Sequence, residues 1–312
     1  MKLNELLQRA GILPLAEKEI GELEITGIAS HSQRVKKGDL FVALRGLTCD
    51  GTQYVADAFL HGAAFVLSER SLEGKRALKV ENARLALAML WNAWYGDPAK
   101  NMSLIGITGT NGKTSTATML YHVLTRAGFR CGLIGTVECR CGEVELHERE
   151  EEGLANMTTP DPEELYRTLA RMRDMGATHV VMEVTSHALA LEKVAPLRFS
   201  RAIFTNLSAD HLDFHGDMES YFLEKKKLFE RCDSAVLSYS TSYGIRLAQG
   251  LECPFLELSP QRYGKSPIME QKEYRFCCVT QRGKNRRCIF PFRGRSPWKT
   301  QALLRFVHIR LA

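Results

Sequence analysis

The chain has 312 residues, 45% hydrophobic and 25% charged, an ordinary balance for a globular protein with room for two domains. No run of 18 apolar residues appears, and the opening MKLNELLQRAGILPLAEKE carries acids on both sides of a short apolar stretch; this argues against a membrane span or a secretory leader and for a cytoplasmic protein. The net charge of +6 arises at one end, where thirteen Lys or Arg face two Glu from Gln261 onward and leave the first 260 residues at −5, so no basic face for nucleic acid is expected.

The nine cysteines are odd in number and scattered. Their spacings do not suit a zinc site, and reduced, mostly buried thiols are expected. In chain order, ITGIAS, DLFVAL and AAFVLS read as short strands, with ADAFLHG between the last two as helix. LALAMLWNAWYGDP reads as an amphipathic helix stopped by Gly96 and Pro98, and 97–102 as a hinge. From Ser103 the rhythm becomes strand and long helix: SLIGIT, then TNGKTSTATMLYHVLTRAG, CGLIGTV, EELYRTLARMRDMGA, THVVMEV and FSRAIFTNLS. Val- and Ile-rich strands separated by helices predict parallel pairing with right-handed crossovers, an α/β nucleotide-binding domain. The acidic run HEREEEG reads as a solvated loop.

Gly109, Thr110, Asn111, Gly112, Lys113, Thr114 and Ser115 follow an apolar strand and open a helix. Glycines let backbone N–H groups curl around phosphate, the helix N-terminus adds positive potential, Lys113 can reach the β/γ phosphates and Thr114 can hold Mg²⁺. The strict P-loop pattern wants a further glycine five residues before Gly112, where Ile107 stands. Glu183 ends the strand in Met182-Glu183-Val184-Thr185-Ser186-His187, at the sheet edge where α/β proteins bind ligands. A lone Glu at a strand end is more often solvated, and a lone His after a strand more often packed or capping.

The variant Thr-Gly-Thr-Asn-Gly-Lys-Thr resembles the P-loop of Mur ligases and folylpolyglutamate synthases. Thr205-Asn206-Leu207-Ser208-Ala209-Asp210-His211-Leu212-Asp213-Phe214-His215-Gly216 is similar, nearly letter for letter, to a Mur ligase motif. The resemblance implies that Glu183 binds a catalytic Mg²⁺, that His211 joins it at a second metal, and that Lys225, in a stretch similar to the family's modified-lysine segment, is carbamylated. Carbamylation would remove the charge that keeps an ammonium away from metal ions.

The amino-terminal stretch from Ser30 to Leu44, with Gly38-Asp39-Leu40-Phe41-Val42-Ala43, resembles the MurE and MurF types, with His31 and Gln33 replacing the usual Asp and Arg. Folylpolyglutamate synthases lack this domain, and Met157-Thr158-Thr159-Pro160-Asp161 is similar to a MurE-type loop. The resemblance therefore implies contacts to a UDP-sugar substrate from Ser32, Leu47, Thr48, Cys49, Thr158, Thr159, Thr185 and Lys193, the last standing where Arg is usual. The fold it implies is a small α/β UDP-binding domain over residues 1–97, then a P-loop-type, mostly parallel ATP-binding domain over 98–295. The activity it implies is an ATP- and Mg²⁺-dependent, monomeric ligase joining an amino acid, L-lysine or meso-diaminopimelate, to UDP-N-acetylmuramoyl-L-alanyl-D-glutamate through an acyl phosphate. The resemblance weakens after Phe229, and the family's third domain is expected to be absent. Residues 296–312 are expected to be a frameshifted tail, which sequencing the gene around codon 295 would test; a genuine short helix over ALLRFVHIRLA is the alternative. A catalytically inactive ATP- and UDP-sugar-binding remnant is the alternative to an active ligase.

Overall fold

The computed structural model describes residues 1–46, 49–72, 76–146, 157–261, 273–279 and 286–289. The expected tail over 296–312, the acidic loop and residues Leu47 and Thr48 lie outside the described residues. The chain divides into two compact units: Met1–Pro98 with Asp161–Ala170 and Leu191–Pro196, and the remainder. That division is discontinuous where the sequence suggested contiguous segments. Two interactions tie the added pieces to each other: Lys193 Nζ pairs with Asp161 Oδ1 at 2.7 Å, and the Tyr166 hydroxyl donates to the Lys193 carbonyl at 3.2 Å.

In the first unit, helices α1 (Leu3–Arg9) and α2 (Lys18–Gly21) precede a four-stranded parallel sheet of β1 (Ile28–Ala29), β2 (Leu40–Ala43), β3 (Phe65–Ser68) and β4 (Ala77–Lys79), paired in that order. Helix α3 (Val55–Leu60) connects β2 to β3 and buries Val55 and Ala58 with Phe41 and Val66. The sequence indicated three strands here. The fourth, β4, has three residues and no buried side chain, too short to show a period. Helix α4 (Ala83–Trp94) starts where Asn82 Oδ1 accepts from Leu85 N at 3.0 Å and stops at Gly96, whose φ of +68° suits glycine. Its face of Leu87, Leu90 and Trp91 is buried, worth about 2 kcal/mol per large apolar side chain.

The second unit is built on a ten-stranded sheet. Its parallel strands are β5 (Ser103–Thr108), β6 (Cys131–Ile134), β9 (His179–Glu183), β10 (Arg201–Phe204), β11 (Ala235–Ser238) and β12 (Phe255–Gln261). Short antiparallel strands β7 (Cys139–Cys141) and β8 (Val144–Glu145) extend one end, and β13 (Glu273–Val279) and β14 (Arg286–Ile289) the other. Of these strands the sequence indicated β5, β6, β9 and β10 alone: two or three residues in β7 and β8 cannot display alternation, and β11 to β14 were not named as strands. Helix α5 (Lys113–Arg126) carries the chain from β5 to β6. Helix α6 (Pro162–Asp174), of which the part to Ala170 belongs to the first unit, is ended by Gly176 at φ +78° and leads to β9, and α7 (Ser186–Ala190) follows. After β10 come α8 (Leu212–His215), α9 (Met218–Lys226) and, between β11 and β12, α10 (Ser242–Gln249).

Strand β5 lies between β9 and β10. The chain leaves β5 toward β6 on one side and later returns to β10 on the other, so the loops after β5, β9 and β10 diverge and open a crevice at the carboxyl edge. Ile105, Ile107, Leu120, Leu124, Val181 and Ile203 form the core beneath it.

Candidate active site

The crevice begins with the turn after β5. Gly109 has φ +145° and Gly112 φ +81°, conformations that side-chain-bearing residues avoid. A Cβ on Gly109 would stand 2.0 Å from Thr205 Oγ1 and 2.9 Å from the Asn206 carbonyl, whereas one on Gly112 would meet nothing within 4 Å. Gly109 is therefore glycine because two strand ends converge on it, and Gly112 because the helix must start there. The Asn206 side chain clasps the turn: its Oδ1 accepts from Asn111 N and its Nδ2 donates to Asn111 O, both at 3.0 Å. Thr205 Oγ1 adds a 2.7 Å bond to Asn111 O.

Lys113, first in α5, donates to the carbonyls of Gly109 and Thr110 at 3.0 Å each. Burial lowers its pKa from the ordinary lysine value, and Glu183 and Asp210 oppose the shift. The next residue, Thr114, donates to Glu183 Oε2 at 2.9 Å. Glu183 is fully buried, and its other oxygen accepts from the Thr136 amide at 2.9 Å. Two donors aimed at one carboxylate compensate for its removal from water.

Lys225 approaches the same turn from α9. It is 2% exposed, donates to Gly109 O at 3.1 Å and lies 4.6 Å from the centre of the Tyr221 ring. Burial, helped by the charge of Lys113, lowers its pKa to about 7 against a weaker upward pull from Asp210. The Tyr221 hydroxyl lies 3.3 Å from Thr110 Oγ1, so α9 is pinned to the turn by two side chains.

His211 has φ +51°, left-handed backbone rare outside glycine. Its Nε2 lies 3.5 Å from Asp210 Oδ2 and its ring meets that of His187 edge-on at 4.9 Å. His187 also packs against Phe214, and His215 Nε2 lies 2.9 Å from Ser186 Oγ. Burial lowers the His215 pKa, with His187 adding to the shift.

Beside Glu183, Thr136 Oγ1 donates to Thr158 Oγ1 at 2.9 Å, and Thr159 Oγ1 donates to the Glu183 carbonyl at 3.0 Å. Thr185 caps α7, its hydroxyl accepting from Ala188 N at 3.1 Å, while its own amide donates to Thr159 Oγ1 at 3.1 Å.

The turn thus joins two positive-φ glycines, a buried carboxylate bonded to Thr114 and a lysine buried against Gly109. Residues 107–266 match the Mur ligase middle domain, and residues 24–95 match the Mur ligase family, catalytic domain. The chain belongs to the Mur ligase family. Among similar curated Mur ligases, the UDP-N-acetylmuramoyl-L-alanyl-D-glutamate--2,6-diaminopimelate ligase of Geobacter metallireducens is 40% identical over 257 residues, 78% of this chain and 48% of that protein. The ligase of the same name from Aquifex aeolicus is 42% identical over 226 residues, 72% of this chain and 45% of the other. The chain thus spans about half the length of the curated relatives it matches. A solved ligase of that name superposes with a TM-score of 0.70 at 22% identity, covering 97% of this chain and 62% of that one, a likeness of fold.

Of the residues singled out from this Mur ligase's sequence, the structure brings together Gly109, Thr110, Lys113, Thr114, Glu183 and Lys225. His211 stands apart from Glu183 in its bonding: its side chain engages Asp210, that of Glu183 engages Thr114 and Thr136, and no hydrogen bond joins the two. Among the described residues no three His, Cys, Asp or Glu side chains converge as a metal-binding set. Thr159 is buried, its hydroxyl donating to the Glu183 carbonyl. Lys193 is likewise buried, paired with Asp161. Ser32 is buried just after β1, and Cys49 is exposed.

Sequence reading missed Thr136 as a hydrogen-bond donor to Glu183 and Asp210 as the acid that opposes the lowered pKa of Lys113 and Lys225. Thr136 sits in the quoted CGLIGTV run, one turn beyond a strand end, and that position on a carboxyl edge was the available signal. It also missed a cavity of about 390 Å³ in the first unit, lined by Arg45, Asp50, Glu69, Arg70 and Lys79. Arg70 pairs with Asp50 at 2.9 Å there, and Asp50 is held below the ordinary carboxylate range chiefly by Thr52.

No helix among the described residues is long and apolar enough to cross a membrane.

Proposed function

We propose that this protein is an ATP-dependent Mur ligase of the MurE type, working in the cytoplasm, which joins an amino acid to the D-glutamyl carboxylate of UDP-N-acetylmuramoyl-L-alanyl-D-glutamate. The names of its curated relatives favour 2,6-diaminopimelate over lysine as that amino acid. The observation that carries the reading is the fully buried Glu183 carboxylate bonded to Thr114, the residue after the P-loop lysine. A structural strand-to-helix turn has no need of a buried acid at that place.

In this reading Ser32 and the loop of Leu47, Thr48 and Cys49 contact the UDP-sugar, and Thr158, Thr159, Thr185 and Lys193 are its further contacts. The segment over 98–295 takes ATP on the turn of Gly109 to Ser115. Mg²⁺ fits the donors present: Thr114 Oγ1 and Glu183 Oε2 are hard oxygen atoms 2.9 Å apart beside backbone amides, and this ion uses one or two carboxylates with substrate phosphates rather than a full protein cage. Thr114 and Glu183 would hold it, with His211 at a second ion, and it would neutralise charge on the transferring phosphoryl group. Lys113 faces the phosphates and supplies positive charge as the acyl phosphate forms. The incoming amine then attacks the activated carbonyl and phosphate leaves. At neutral pH a large share of Lys225 is a free amine, able to add carbon dioxide at Nζ with loss of a proton. The resulting carbamate would turn the repulsion between Lys225 and Lys113 into attraction.

The test is product formation by the purified protein from UDP-N-acetylmuramoyl-L-alanyl-D-glutamate, ATP and a mixture of amino acids, read by mass spectrometry and phosphate release. A tripeptide product containing diaminopimelate is the expected result. Binding of ATP and UDP-sugar with no product would instead establish the non-catalytic remnant.

A further inference from the structure

Two thiols meet at the amino edge of the second sheet, away from the crevice. Cys232 follows the turn Phe229–Arg231 and Cys253 stands two residues before β12; their sulfurs are 3.7 Å apart. The juxtaposition is built into the ladder. Strands β11 and β12 run parallel in the register Ala235↔Phe255, and Ala235 N donates to Pro254 O at 3.0 Å, so the two segments that enter these strands are held side by side. Cys232 is buried and Cys253 is half-buried, so one sulfur of the pair is open to a small reagent.

The other thiols whose side chains are described differ. Cys131, Cys139 and Cys141 are buried, and burial pushes the Cys131 thiol up to about 12 and raises Cys141 too. Cys49 is exposed, with no neighbouring sulfur among the described cysteines. At the pair either sulfur can donate to the other, and sharing one proton between them holds one thiol, that of Cys253, below its ordinary value and raises that of Cys232. Asp233 opposes both thiolates and is itself paired with Arg198 at 2.7 Å, and Arg231 and Glu252 adjoin the two cysteines in the chain. A thiolate beside a resolving thiol, reachable from solvent, is the arrangement that redox chemistry uses.

We propose that Cys232 and Cys253 form a two-electron redox site that takes hydrogen peroxide as oxidant and closes to an intrachain disulfide. The Cys253 thiolate attacks one peroxide oxygen, the O–O bond breaks, and the departing hydroxide takes up a proton as water, leaving a sulfenic acid on Cys253. The Cys232 sulfur then attacks the Cys253 sulfur. The S–S bond forms, the S–O bond breaks, and hydroxide leaves with the Cys232 proton as a second water. Two electrons pass from the thiols to the peroxide, and a dithiol reductant reverses the change. Closing the sulfurs from 3.7 Å to about 2.05 Å requires only rotation and a small approach at the start of the two strands.

The experiment treats the native, reduced protein with equimolar hydrogen peroxide, blocks remaining thiols with iodoacetamide, and maps tryptic peptides. Trypsin cuts after Arg231, Arg246 and Arg262, placing Cys232 and Cys253 on separate peptides. The expected result is those two peptides linked in most of the protein, separated again by dithiothreitol, with the rate of linkage half-maximal at a pH below the ordinary thiol pKa. Cys253→Ser should abolish linkage and Cys49→Ser should leave it unchanged. Unlinked peptides in the wild-type protein, or linkage spread over other cysteines as in urea-unfolded chain, would overturn the proposal without any variant having to fold.

Discussion

Lys113 and Lys225, 112 positions apart in the chain, donate to the same carbonyl oxygen, that of Gly109, at 3.0 and 3.1 Å. One neutral acceptor thus faces two cations, and burial lowers the pKa of each. A cation whose folded pKa is depressed binds fewer protons folded than unfolded. The cost is therefore present in full below the folded value and disappears as pH rises toward the unfolded one. For Lys225 the window runs from about 7 to the ordinary 10.5, and the cost is roughly 4–5 kcal/mol at its low end. We expect Lys225→Met to raise thermal stability at pH 6 and to lose that advantage progressively by pH 10. Melting curves across that range check it, and an advantage independent of pH would show that packing, rather than charge, is responsible. Bicarbonate at pH 8 should stabilise the wild-type protein and not the variant.

Glu183→Gln separates chemistry from fold. The amide keeps the volume, but its nitrogen is a donor, so one of the two bonds that the carboxylate oxygens accept, from Thr114 and from the Thr136 amide, is lost. We expect Mg²⁺-dependent turnover to fall about a hundredfold or more, with stability lowered by only about 1–2 kcal/mol. Parallel turnover and denaturant titrations decide it; turnover within tenfold of wild type would remove Glu183 from the metal site.

The two turn glycines should respond unequally to alanine. At Gly112 the added methyl meets nothing within 4 Å, leaving only the left-handed backbone cost of about 1–2 kcal/mol. At Gly109 it strikes Thr205 Oγ1 and the Asn206 carbonyl, and more than about 3 kcal/mol is expected. Equal losses in urea unfolding would mean that the close approach of the loop after β10 does not exist.

Asp161→Asn tests the pair beneath Lys193. The lysine side chain is 7% exposed and the aspartate 54%, so neutralising the acid withdraws one opposite charge from a buried cation, at a cost of about 1–3 kcal/mol. Lys193→Met, which removes the buried charge itself, should cost less. Chemical denaturation of both variants gives the order, and the reverse order would mean that the lysine is solvated.

The sequence by itself determined the α/β class, the order of strands and helices around Gly109 to Ser115, and the placing of Glu183 at a strand end, but not that 161–170 and 191–196 group with the first unit. These features are local: a glycine demanding positive φ, a helix start and an apolar period are each encoded within about a dozen adjacent residues. Tertiary structure alone decided that Thr136 grips Glu183, that Lys225 shares Gly109 with Lys113, that Thr159 points inward and that Cys232 meets Cys253. Each of those contacts spans from 21 to 116 positions and depends on which strands are neighbours. Nothing local in the chain states that β9 and β10 flank β5, or that β11 and β12 are joined in one register. Strand order is settled by the burial of all the strands at once, and the side chains that meet across it become visible only then.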